Sequence, residues 1–150
     1  MIILNVSFGI YAFLPQGWIF MTSIILIECL GFSYLLTGKW INDKAYLTII
    51  ISNLISGIIG IISSMILNGG WWLTIWFPWV GSNEVKGIEG FKWFTIYYVI
   101  AFVLTIIIEG VINYLMLKKR HTKSQILKKT FVVNSISYLL GSFVMYSYSF

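Results

Sequence analysis

Apolar residues run through this chain in four long stretches, 18–36, 45–67, 94–117 and 127–150. Each is of the order of the ~20 helical residues needed to cross the hydrocarbon core of a bilayer. Runs such as Ile49-Ile50-Ile51 exclude the alternation of a membrane β-strand. Lipid offers backbone groups no partners, which leaves helices as the way to cross. The pattern predicts an all-α integral membrane protein with four transmembrane helices in a single membrane domain. Its parts are a helical hairpin at about 18–67, an external aromatic loop at 68–93, and a second hairpin at about 94–150.

The polar residues that interrupt these stretches form a repeat. Glu28, Asn53, Ser56 and Gly60 return as Glu109, Asn134, Ser137 and Gly141, each displaced by 81 residues with no gap. Ile25 and Ile27 likewise fall on Ile106 and Ile108. A gap-free offset preserves helical phase as well as depth, and spacings of three and four keep Asn, Ser and Gly on one helix face. Each copy reads as a helical hairpin with an acid in its first helix and Asn-x-x-Ser-x-x-x-Gly in its second.

Depth arithmetic pairs these residues. Glu28 stands eight residues before Leu36, which is ~12 Å of helix, and Asn53 stands eight residues beyond Ala45 on the returning helix. Glu109 and Asn134 repeat the relation. Each hairpin therefore brings a carboxyl and a carboxamide to one depth. Polar side chains facing hydrocarbon are costly, so all four are expected to turn towards protein. The two hairpins are expected to be related by a roughly two-fold rotation about the membrane normal. Ser56, Gly60 and Ser64, with Ser137 and Gly141 in the second copy, form small-residue stripes that let another helix approach closely.

Composition and charge then set the orientation. The chain is 59% hydrophobic and 10% charged, with a net charge of +5, and its mean hydropathy is +0.89. A basic balance raises the question of nucleic acid, but the distribution answers it. Lys118, Lys119, Arg120, Lys123, Lys128 and Lys129 crowd into residues 118–129, and Lys39, Lys44 and Asp43 leave 37–44 with an excess of one. Glu84, Lys86, Glu89 and Lys92 cancel. The positive excess lies on one side of the four spans, which the positive-inside rule makes cytoplasmic. The expected location is the plasma (inner) membrane, multi-pass, with both termini outside the cytoplasm. The basic cluster meets lipid headgroups, and no nucleic-acid partner is expected.

Several stretches carry two readings. Residues 1–14 are apolar and end at Pro15-Gln16-Gly17, so they form either an interfacial helix or an extension of the first span kinked at Pro15. Trp71, Trp72, Trp76 and Trp79 form either an aromatic belt at the outer interface or a contact surface for a partner. Cys29 is the only cysteine, which removes any intrachain disulfide, and it packs as a small apolar residue. The first 30 residues hold no Lys or Arg, so no cleavable leader is expected.

Catalytic chemistry finds no residues to carry it. One His, one Cys, no metal-ligand cluster and no phosphate-binding glycine loop predict no enzyme, no metal and no cofactor. Three roles fit the remainder. The first is a structural or accessory subunit of a larger membrane complex, with the Glu–Asn pairs clamping each hairpin and partners that are copies of itself or other membrane subunits. The second is a small proton- or cation-coupled transporter using Glu28 and Glu109, since an intramembrane acid is a functional candidate by default. A membrane-resident immunity or defence factor fits the size but has no residue-level signature. Leu14-Pro15-Gln16-Gly17-Trp18, Glu28, Asn53, Ser56 and Gly60 resemble the small polytopic filament-integrity proteins associated with septal cell–cell junctions of filamentous cyanobacteria. The resemblance covers residues 14–60, and implies a scaffold or accessory role with no catalytic residues.

Overall fold

The computed structural model describes residues 15–67 and 87–149. They form four helices: α1 (Pro15–Thr37), α2 (Asp43–Leu67), α3 (Gly87–Leu117) and α4 (Lys123–Ser149). No strand occurs among the described residues.

Local chemistry explains where the helices stop and start. Pro15 opens α1, where its fixed φ suits the first helical position and its missing N–H costs nothing. Gly38 ends it with φ 72°, and its N–H donates to Tyr34 O at 2.9 Å, the left-handed cap that glycine adopts without a Cβ clash. The Ser33 hydroxyl donates to Lys39 O at 2.7 Å, pinning the turn to α1. Asn42 then caps α2, its Oδ1 accepting from Ala45 N at 3.1 Å. The second turn closes with a capping box: Gln125 N donates to Thr122 Oγ1 at 3.4 Å, and Thr122 N donates to Gln125 Oε1 at 3.2 Å.

These caps move two boundaries away from those that hydropathy suggests. α4 begins at Lys123, not near 127, because Thr122 and Gln125 initiate the helix while Lys128 and Lys129 still ride on it. α3 begins at Gly87, so part of the expected 68–93 loop is helical. In both places hydropathy marks where apolar surface starts, whereas hydrogen bonding marks where the helix starts.

Each helix packs on two neighbours, in the cyclic order α1–α2–α3–α4. The five-residue turn between α1 and α2, like that between α3 and α4, makes each pair an antiparallel hairpin, and α2·α3 and α1·α4 are the seams between hairpins. An apolar cluster of Cys29, Phe32, Ala45, Ile49, Leu117, Ile126 and Val133 fills the bundle at the end where the two turns lie. Cys29 is buried in it, its thiol 3.8 Å from Tyr46 O.

Further from the turns the interior becomes polar. Among the described residues, twelve buried side chains are polar or charged and ten are hydrophobic. The outer surface is apolar on all four helices, for example at Ile19, Leu54, Ile107, Leu139 and Phe143, where exposure reaches 72%. Among the described residues one helical segment, Tyr98–Leu117, is long and apolar enough to cross a membrane by length and composition, and Met21–Thr37 is a shorter apolar helix.

Candidate functional site

Glu28 and Glu109 are both fully buried at the centre of the bundle. Asn53 Nδ2 donates to Glu28 Oε2 at 2.7 Å, and Asn134 Nδ2 donates to Glu109 Oε2 at 2.9 Å. The same amides hold their own helices, donating to Ile49 O and Thr130 O, each at 3.1 Å. This double use fixes each carboxamide against its backbone while it reaches across the hairpin.

The serines connect the hairpins. Ser56 Oγ donates to Glu109 Oε1 at 2.8 Å, and Ser137 Oγ donates to Glu28 Oε1 at 2.5 Å. Each acid thus takes one bond from the Asn of its own hairpin and one from the Ser of the other. Glu28–Asn53 joins α1 to α2, Ser56–Glu109 joins α2 to α3, Glu109–Asn134 joins α3 to α4, and Ser137–Glu28 joins α4 to α1. Six side chains form a closed ring that crosses all four helix interfaces. Displacing every residue by 81 carries the ring onto itself.

The repeat stops one turn to either side. In the second hairpin the Glu109–Asn134 rung is flanked by two more polar rungs in the same register. Thr105 Oγ1 lies 2.8 Å from the Tyr138 hydroxyl, and Asn113 Nδ2 donates to Thr130 Oγ1 at 2.9 Å. The Tyr98 hydroxyl donates to Tyr138 O, extending the ladder by a further step. The matching positions of the first hairpin are Ile24 with Gly57, and Phe32 with Ile49. Ile24, Phe32 and Ile49 are buried, so this hairpin is apolar where the other is polar. Two acceptors on the polar side, Asn113 Oδ1 and Asn134 Oδ1, are buried without a hydrogen-bond partner.

The structure brings together Glu28, Asn53, Ser56, Glu109, Asn134 and Ser137. Gly60 and Gly141 are buried one turn beyond the serines, where small residues suit close packing. Sequence reasoning assigned Ser56 and Ser137 to packing alone; their hydroxyls also bond to the opposite hairpin's acid. Thr105, Thr130 and Tyr138 were not singled out. The signal was present in Thr105-Glu109-Asn113 and Thr130-Asn134-Tyr138, two sets at four-residue spacing that face each other on antiparallel helices.

The basic residues stand apart from the ring. Lys118, Lys119 and Arg120 are exposed in the second turn, Lys123 and Lys128 are exposed on α4, and Lys129 is half-buried. Lys123 Nζ sits 6.0 Å above the Tyr114 ring. Trp71, Trp72, Trp76 and Trp79, residues 1–14 and the side chain of Ser64 lie outside the described residues. Among the described residues no group of His, Cys, Asp or Glu can hold a metal ion. No family model, curated protein or solved structure matches the chain.

Proposed function

We propose that this chain is a multi-pass membrane protein whose four helices all span the bilayer, and that it serves as a non-enzymatic structural or accessory subunit of a larger membrane complex. The observation that carries the reading is the division between interior and exterior. The polar side chains of the bundle centre are spent largely on bonds between its own helices, while the outer surface of every helix is apolar. Such a body is suited to lipid and to other membrane helices. Interhelical hydrogen bonds in membranes contribute only ~0.6–2 kcal/mol each, but four in a closed ring hold the hairpins in one register. The basic turn at 118–122 and the start of α4 then face the cytoplasm, and the resemblance at residues 14–60 agrees with an assembly role.

Site-specific photo-crosslinking in native membranes tests this, with probes at Leu139 and Ile107 on the outer surface. Discrete crosslinked species heavier than the 17.2 kDa chain are expected. A chain that stays monomeric with both probes, and in mild detergent, overturns the assembly role.

A second reading, a small proton- or cation-coupled transporter, is favoured by the two carboxyls at the bundle centre. Replacing both with Gln separates the two. Gln keeps a neutral hydrogen-bonding group but carries no proton, so function retained in Glu28→Gln/Glu109→Gln removes the transporter.

A further inference from the structure

The ring has an unbalanced charge. Its two carboxyl groups meet only Asn and Ser among the described residues, and the described Lys and Arg side chains sit at the turns and at the adjoining ends of α2 and α4. Two uncompensated carboxylates in apolar surroundings cost more than the whole stability of a fold of this size. Something positive must join them.

We propose that the ring is a proton-binding site, taking one proton from water on each of Glu28 and Glu109, and that the protons enter through the second hairpin. A metal ion is the other way to supply charge, and the geometry opposes it. The Oε2 atom of each acid already accepts an amide N–H, from Asn53 and from Asn134, and among the described residues no group of His, Cys, Asp or Glu can hold a metal ion.

Protons fit the same geometry in both charge states. Ser56 Oγ lies 2.8 Å from Glu109 Oε1 and 3.1 Å from Asn53 O. Ser137 Oγ lies 2.5 Å from Glu28 Oε1 and 3.0 Å from Asn134 O. Each hydroxyl has one hydrogen and two acceptors. With the acid ionised, the serine donates to the carboxylate. With the acid protonated, the carboxyl O–H donates to the serine oxygen, and the serine hydrogen turns to the backbone carbonyl. Neither state leaves a donor or acceptor of the carboxyl unmet, so proton uptake needs only two hydroxyl rotations.

The difference between the hairpins gives the route. In both hairpins the apolar cluster closes the turn side, with Leu117 and Ile126 in the second; at the level next to the acids the first hairpin has Phe32 and Ile49. At the same level the second hairpin offers Asn113 and Thr130. Asn113 Oδ1 and Asn134 Oδ1 lack donors, although both residues are at least 99% buried. A buried acceptor left unsatisfied costs ~1–3 kcal/mol, and a passing water or hydronium supplies the missing hydrogen. The other ionisable groups near this path are Cys29 on α1, Tyr46 on α2, Tyr98 and Tyr114 on α3, and Tyr138, exposed Lys123 and half-buried Lys129 on α4; the carboxyl groups themselves meet only Asn and Ser among the described residues. The proposal rests on the ring alone and stands whether or not the chain assembles with partners.

Infrared spectroscopy of the full chain in dodecyl maltoside, which has no ester carbonyl, tests both parts. At neutral pH a protonated carboxyl band that shifts in D₂O is expected, reduced in Glu28→Gln and in Glu109→Gln and lost in the double variant. Absence of the band in the wild type, its survival in the double variant, or its appearance only on removal of sodium overturns proton binding, the last in favour of a cation site. The route is tested by the rate of the D₂O shift in Asn113→Leu/Thr130→Val, which copies the apolar rung of the first hairpin. A slowing of about tenfold, the factor set by a modest added barrier, is expected, with the same direction in Thr130→Val alone. An unchanged rate in either overturns entry through this hairpin.

Discussion

Replacing Ser56 or Ser137 with Ala distinguishes two accounts of these residues. If they are only small spacers, Ala serves as well, since it keeps the Cβ and removes a single oxygen. The ring predicts otherwise. Ser56→Ala leaves Glu109 Oε1 without the hydrogen-bond partner now 2.8 Å away, in either protonation state, while Asn134 keeps the other oxygen. Orphaning a buried polar atom costs ~1–3 kcal/mol, whereas single interhelical hydrogen bonds in membranes contribute ~0.6–2 kcal/mol. Their overlap gives about 1–2 kcal/mol for each serine, a change of roughly 5–30-fold in the ratio of folded to unfolded protein. The backbone carbonyls that share these hydroxyls keep their helical bonds and add little. Ser135→Ala is the control, because its hydroxyl returns only to Phe131 O of the same helix. Unfolding by dodecyl sulfate in mixed micelles, followed by the emission of the seven Trp residues, measures all three. Ser56→Ala and Ser137→Ala indistinguishable from Ser135→Ala would refute the cross-hairpin bonds.

The turns give an independent expectation: Thr122→Ala removes the capping box of α4 and should cost about 0.5–2 kcal/mol in the same micelle titration. Gly31 should tolerate a methyl group, because an added Cβ meets Val133 Cγ2 at an ordinary 3.6 Å; Gly31→Ala is expected to stabilise by about 0.5–1 kcal/mol, read as a higher dodecyl sulfate midpoint. Orientation is read from Ser124→Cys in a Cys29→Ala background. An impermeant thiol reagent should leave it unmodified in intact cells and label it in inverted vesicles, and the reverse pattern would invert the proposed topology.

Much of this arrangement is legible in the sequence. Apolar runs located all four helices, and equal distances from the turns paired Glu28 with Asn53 and Glu109 with Asn134, because an antiparallel hairpin turns sequence distance into depth. Helix ends were less legible. The Thr122–Gln125 box and the Gly38 cap act through backbone hydrogen bonds that hydropathy does not register. The serine crossings were harder still. Helical phase shows that Ser56 shares a face with Asn53, but not which neighbour that face meets. That depends on how one hairpin docks on the other, which no spacing within a hairpin encodes.

The duplication itself explains why the crossings are reciprocal. A hairpin with one buried acid and one Asn satisfies one carboxyl oxygen and leaves the other open, so alone it carries an unmet acceptor in apolar surroundings. Two copies related by the expected two-fold rotation would each supply the other's missing donor, since any contact from copy one to copy two under such a rotation must occur in both directions. Ser56 to Glu109 therefore entails Ser137 to Glu28, and the structure contains both. The same logic constrains divergence. The two acids and two serines cannot change in one copy without opening a bond to the other, whereas the flanking rungs lie within single hairpins and change without such a penalty. Ile24, Phe32 and Ile49 facing Thr105, Asn113 and Thr130 across the repeat show where that freedom was used. It left apolar side chains beside the acid of one hairpin and polar rungs beside the acid of the other.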